Sequence, residues 1–335
     1  AMMPTNNFSE TFFPPAPGLN AFTIRNAYSP RKTACRGCAI GCKKITSRGD
    51  ALPEFETLSH FTALLGNSDL ASAVEANRLC NELGMDTIST AATLACHAEI
   101  DGRVLTPGDI VNLVRDIGTG RGVGVDLGRG SKRYASGRGN PDCSMSVKGQ
   151  ELPAYDPRGA CGMALAYAVS TRGGCHLRAY PLAHEILRKP VATDRFTFSG
   201  KARIIKISED QNAVVDSLTA CRFVFFSATL EEYSRAFRAV TGLKTTAQDL
   251  LAAGERACYR ERIMNARNGF TADDDDVPLR FFREEGSCKG GLTIPPLDRT
   301  AFLQARSNYN IIRGLDEAGL PTPEKAKKLG LSWKT

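Results

Sequence analysis

Apolar residues recur at helical spacing along most of this chain, and few stretches alternate with the two-residue period of a strand. The stretch 69–83 reads as a helix ending at Gly84, a residue suited to a left-handed C-cap. Thr87–Ile100 reads as a second, largely apolar helix. A third starts at Thr106-Pro107-Gly108-Asp109, with proline in its first turn and Ile110, Leu113, Val114 and Ile117 on one face. Residues 118–158 are dense in glycine and arginine and read as loop, and the irregular stretch 149–157 marks a domain boundary. Beyond it, 162–171 reads as a small-residue helix followed by the turn Arg172-Gly173-Gly174, and 201–217, 231–240, 246–268 and 300–318 give further helices. Residues 4–31 show no period, Asp273–Asp276 reads as a solvated loop, and Ala1-Met2-Met3 is set aside as an expression scar. The pattern predicts a mostly α chain of two helical domains, 1–150 and 151–335.

Composition narrows the picture. At 335 residues and 42% hydrophobic, the chain is long enough for two domains with cores of their own. The balance of 43 Lys and Arg against 36 Asp and Glu suits an acidic protein partner or a phosphorylated cofactor. No nucleic-acid-binding signature with interleaved aromatics is present, so no nucleic-acid partner is expected. Nor is there a secretory leader or an apolar run of about 18 residues, so no membrane span is expected. The 11 cysteines are odd in number and scattered outside one cluster, which fits a reduced, cytoplasmic compartment better than a disulfide framework.

That cluster is Cys35-Arg-Gly-Cys38-Ala-Ile-Gly-Cys42. One short loop with this spacing can wrap a compact centre from one side, but three thiolates are one short of a closed zinc or iron–sulfur site. Cys80, Cys96 and Cys258 fall in helical patterns, where a cysteine is most simply a small buried hydrophobe. Cys221 differs, because it ends the segment Asp216-Ser-Leu-Thr-Ala-Cys221 just before the apolar run Phe223–Phe226.

A DxxxxC segment far downstream of a CxxCxxxC loop resembles the aldehyde:ferredoxin oxidoreductase family of tungsten or molybdenum pterin enzymes. More blocks extend the resemblance across nearly the whole chain. They include Pro53-Glu54-Phe55-Glu56-Thr57, the run from Asn81 through Asp86 to Ser89, the loop from Val147 through Lys148 and Asp156 to Arg158, and the segment from Tyr167 through Arg172 and His176 to Arg178. The resemblance implies that Cys35, Cys38, Cys42 and Cys221 ligate one [4Fe–4S] cluster, and that Asp86 and Asp216 help hold a bis-pyranopterin of tungsten or molybdenum. It implies two helical domains like the family's second and third. Met3-Pro-Thr-Asn-Asn-Phe8 resembles a stretch well inside full-length members, so the β-rich amino-terminal domain is expected to be absent. The pterin would then need a missing half or partner subunit.

The same resemblance makes His176 the active-site base or hydrogen-bond donor for aldehyde oxidation, with Glu56, or its neighbour Glu54, as partner carboxylate. Lys148, Arg158, Arg172 and Arg178 are candidates to neutralise cofactor phosphates, with solvated surface charge as the plainer reading. Asp86 and Asp216 both also read as helix N-terminal acids. The basic residues Arg121, Arg129, Lys132, Arg133 and Arg138 form a candidate face for ferredoxin or another iron–sulfur acceptor, or for the missing domain. A homodimer is compatible with all of this. The readings outside catalysis are an iron–sulfur electron-transfer subunit or truncated paralogue without the pterin metal, and a structural zinc module.

Overall fold

Side-chain caps fix where several of the longer helices begin. The structure, a computed structural model, describes residues 2–225, 227–288 and 290–332, so Ala1 of the opening and Phe226 of the apolar run lie outside it. The chain divides into two units, Ala1–Gly159 with Pro278–Leu297, and Ala160–Val277 with Asp298–Thr335. Mostly helical architecture is as expected, and the strands among the described residues form three short antiparallel pairs.

The first unit opens with α1 (Ala21–Tyr28) and the pair β1 (Arg31–Thr33) and β2 (Lys43–Ile45). It continues through α2 (Phe55–Phe61), α3 (Leu70–Leu83), α4 (Thr87–Ile100) and α5 (Pro107–Thr119). Asp69 accepts from the Ser72 N–H and Asp86 from the Ser89 N–H, while Thr106 and Asp109 form a capping box ahead of α5. Gly84 closes α3 at φ 70°. The apolar α4 is central: Ala91, Leu94 and Cys96 are buried, and α2 and α7 pack against it.

Residues 118–158 are more ordered than a loop. They form α6 (Gly124–Leu127), α7 (Ser131–Gly137) and the hairpin of β3 (Ser146–Val147) and β4 (Gln150–Glu151). Gly124 lets α6 lie against α5, since a Cβ there would sit 2.3 Å from the Asp116 carbonyl carbon. Lys148 at φ 52° and Gly149 at φ 82° make the tight hairpin turn, which needs two left-handed residues in succession.

The second unit holds α8 (Cys161–Val169), α9 (Leu182–Glu185), α10 (Lys201–Ser217), α11 (Arg222–Phe225), α12 (Leu230–Thr241) and α13 (Ala247–Arg267). The chain then rejoins the first unit with α14 (Arg280–Arg283) and the pair β5 (Gly286–Ser287) and β6 (Thr293–Ile294). Phe281 packs edge-on against Phe8 there, ring centroids 5.7 Å apart, and Thr11 bonds Ser287. The second unit closes with α15 (Arg299–Arg313) and α16 (Pro323–Lys328). The expected helix 300–318 stops at Arg313 because Gly314 takes φ 76°.

Helices α8, α13 and α15 pack around α10. A Cβ at Gly254 would fall 2.0 Å from the Asp210 carbonyl oxygen, so glycine permits the close α10–α13 approach. Arg313, wholly buried, pairs with Glu209 at 2.6 Å and with Asp210. Replacing it with leucine removes the guanidinium shared by two buried carboxylates, leaving Asp210 with Lys206 and Glu209 with only the Tyr309 hydroxyl. Arg313→Leu should cost about 3–5 kcal/mol in denaturant unfolding. The acidic run is not a solvated loop: Asp275 is buried against Arg262 at 2.7 Å, Asp276 pairs with Arg299, and Asp274 accepts from the Thr271 N–H. Two of its four charges are met by arginines outside the local sequence, Arg262 and Arg299.

Candidate functional site

The candidate residues fall on both units. In the first, the β1–β2 pair closes the loop that carries Cys35, Cys38 and Cys42. Gly37 at φ 73° and Gly41 at φ 57° supply its sharp turns. Cys35 and Cys42 are exposed and Cys38 half-buried. The Gly41 and Ile40 N–H groups hold the Cys38 thiol below its ordinary pKa, which favours the thiolate that binds metal. This donor set fits a thiolate-ligated centre. Among the described residues no three His, Cys, Asp or Glu side chains converge on one point, so a centre bound here would draw its ligands together.

The second feature of this unit is the start of α2. Glu54 is its exposed N-cap and makes no side-chain cap bond. Glu56 Oε2 accepts from the Ala154 N–H at 2.8 Å, and the Tyr155 side chain also bonds the carboxylate. Burial outweighs both bonds and pushes the Glu56 carboxyl up to about 7. Thr57 and Thr87 hydroxyls, 2.8 Å apart, tie this corner to the start of α4, where Asp86 is the exposed N-cap. The structure thus brings Glu56 and the Asp86 turn together. Lys148 sits in the hairpin turn. Arg158 is buried and spends its guanidinium on Asp156 and on the Phe8, Glu284 and Glu285 carbonyls, so it ties together backbone rather than facing a phosphate.

In the second unit His176 lies on a turn after α8, half-buried, its ring edge-on to Tyr180 at 6.2 Å. Arg172 is exposed on the same turn. Arg178 at its far end bonds Glu261 of α13 at 2.8 Å and lies 3.8 Å from Asp216. Asp216 is in the last turn of α10, not at a helix start as expected. There its charge opposes the helix dipole, and Arg222 compensates with contacts of 3.1 Å to both carboxylate oxygens. Thr219 at φ 52° then turns the chain out of the helix, leaving Cys221 exposed. Cys80, Cys96 and Cys258 are buried as expected, and burial raises their thiols, Cys80 to about 11 and Cys96 to about 12.

A family model described as aldehyde ferredoxin oxidoreductase, domains 2 and 3, matches residues 1–331. The chain belongs to the aldehyde ferredoxin oxidoreductase family. It is 35% identical over 99% of its length to the tungsten-containing aldehyde ferredoxin oxidoreductase of Pyrococcus furiosus, and 34% identical to that of Thermococcus kodakarensis. A more distant relative at 26%, over 88% of the chain, is the aliphatic sulfonate oxidoreductase, WOR-like subunit, of Pyrococcus furiosus. The chain spans 58% of the length of the first two relatives. Among solved structures, the active-site complex BamBC of benzoyl coenzyme A reductase, with 1,5-dienoyl-CoA, superposes with a TM-score of 0.73. It covers 92% of this chain and 54% of its own at 16% identity, so the two share a fold. Among the described residues, no helix of this aldehyde ferredoxin oxidoreductase family member is long and apolar enough to cross a membrane.

Sequence reasoning missed several residues that hold the family's candidate side chains. Glu261 and Asn265 of α13 bind Thr171, at the start of the His176 turn, and Asn212 of α10 binds the Arg178 carbonyl at its end. Their partners lie tens of residues away in the chain, and no local pattern marks them. His60 is another such residue, four positions beyond Glu56 on the same helix face.

Proposed function

We propose that this chain is the catalytic portion of a tungsten or molybdenum pterin oxidoreductase that oxidises an aldehyde to a carboxylic acid. The balanced reaction takes one aldehyde and one water to one acid, two protons and two electrons. The observation that carries this reading is the Glu56 carboxyl, buried at the start of α2 and raised to about 7, where it can take and return a proton near neutrality. Membership of the family and the thiolate-favouring loop at Cys38 support it further.

Cys35, Cys38, Cys42 and Cys221 are the proposed [4Fe–4S] ligands, and Asp86 and Asp216 the proposed pterin acceptors. When bound, the pterin metal supplies acceptance of the electron pair, and the cluster supplies its one-electron release to ferredoxin or another iron–sulfur acceptor. The chain's own residues hold the proton and orient the carbonyl. Glu56 is the proton acceptor, and His176, fixed on its turn, donates a hydrogen bond to the substrate oxygen. Arg178 and Arg222 pair with the Asp216 carboxylate at an otherwise unfavourable helix end. Because the chain spans 58% of its relatives, the remaining wall of the pterin site is assigned to a further polypeptide segment.

Anaerobic reconstitution with iron, sulfide, that segment and the tungsten or molybdenum pterin tests the proposal by metal analysis. About four irons per chain with tungsten or molybdenum are expected. Iron without a pterin metal would instead favour an electron-transfer subunit, and a colourless protein with zinc a structural module.

A further inference from the structure

The corner that buries Glu56 has a second, wholly buried member. His60 is 0% exposed. Its Nδ1 lies 3.0 Å from the Glu56 carbonyl oxygen, one turn back on α2, and its Nε2 lies 3.0 Å from the Leu152 carbonyl oxygen. The segment that follows Leu152 is the one that covers the Glu56 side chain: Ala154 N–H reaches its carboxylate, and the Tyr155 ring lies 5.8 Å from Phe55. Burial lowers the ring's pKa and favours the neutral form, which has one N–H; the Nε2–H tautomer gives it to the Leu152 carbonyl, and the Glu56 carboxylate accepts from the Ala154 N–H across the same gap. Two links therefore join α2 to this segment, His60 to Leu152 and Ala154 back to Glu56.

We propose that His60 is a positioning residue which pins residues 152–155 over Glu56 and so keeps water from its carboxyl group. This rests on the reading of Glu56 as the proton acceptor, yet the pinning itself concerns only this chain. The geometry makes the alternative, a passive core histidine, specific enough to separate. A passive ring could be replaced by any side chain of its size, whereas a pin must bond Leu152 O. The other titratable groups at this corner are Tyr155 on the pinned segment and Asp86 at the start of α4, and neither supplies a bond to Leu152 O.

The sign of the effect follows from the balance at Glu56. Burial raises its carboxyl, and the Ala154 N–H and Tyr155 bonds lower it by less. Releasing the segment removes all three together, so the midpoint should fall toward the ordinary carboxylate value of about 4.3. The test is a titration of the purified chain by carboxyl-labelled glutamate NMR, with the Glu56 signal assigned from Glu56→Gln. A midpoint near 7 is expected for the native chain. His60→Phe should lower it by at least about one pH unit with helical circular dichroism intact. His60→Gln, which keeps an N–H donor, should restore part of the shift.

A folded His60→Phe chain with an unchanged midpoint overturns the proposal. If His60→Phe does not fold, His60→Met, a flexible side chain with no N–H to give Leu152 O, is titrated in its place, and an unchanged midpoint there overturns the proposal. Turnover is a separate readout. Loaded enzyme indifferent to Glu56→Gln would sink the proton-acceptor reading and leave the His60 assignment standing on the titration.

Discussion

A Cys221→Ser variant of the reconstituted chain is expected to lose its four-iron cluster. Serine offers a hard, weakly acidic hydroxyl where a soft thiolate is needed, and the Cys35–Cys42 loop holds only three of the four proposed ligands. Iron analysis should fall from about four per chain to about three or fewer, and the broad visible absorption of a cubane should fade. Cys258→Ser is the matched control. That thiol is buried with Sγ 3.5 Å from the Glu209 carbonyl oxygen, and burial raises its pKa, so the substitution should cost stability while iron stays at the native level. The exposure of Cys221 after the left-handed Thr219 makes the contrast sharp, because a surface thiol has little packing to lose. An intact four-iron cluster in Cys221→Ser would remove it from the ligand set.

How far such residues could be read from the sequence depended on how local their interactions are. Thr87–Ile100 and the α10 helix Lys201–Ser217 run as expected, because Asp86 caps the first and apolar spacing marks both. The 118–158 region reads as loop because its elements are too short to show a period, and because Lys148-Gly149 is not a familiar hairpin dipeptide. The return of Pro278–Leu297 to the first unit was invisible for another reason. It rests on pairs such as Phe8–Phe281 and Glu99–Arg280, separated by most of the chain. Arg262, the buried partner of Asp275, and Arg299, the half-exposed partner of Asp276, lie 13 and 23 residues away, too far for a local pattern to link them. Asp216 shows a motif outrunning local logic: the DxxxxC spacing located the residue, but a lone aspartate suggested a helix start, whereas Arg222 and Arg178 stabilise it at a helix end.

Glu56→Gln is expected to lower kcat/KM of the fully loaded enzyme by about 10²–10⁴-fold, with metal content unchanged. The argument runs through the pH profile. A carboxyl raised to about 7 is protonated below that pH and accepts a proton above it, so native kcat/KM should rise as pH increases through about 7. Glutamine is a permanent neutral mimic of the protonated state, so its profile should lose that limb. Glu54→Gln, at the exposed N-cap without a cap bond, should keep both rate and limb. A cofactor-independent signature accompanies this. Because the folded-state value lies above the unfolded one, the protonated carboxyl contributes stability that is fully present below the unfolded value and lost as pH rises through about 7. Urea unfolding of the native chain should therefore weaken across that window, and that of Glu56→Gln should not. If the native stability stays flat from pH 5 to 8, Glu56 is an ordinary solvated acid; if the stability slope is present but the kinetic limb survives in Glu56→Gln, the proton acceptor is another group, and His176 is the next to test.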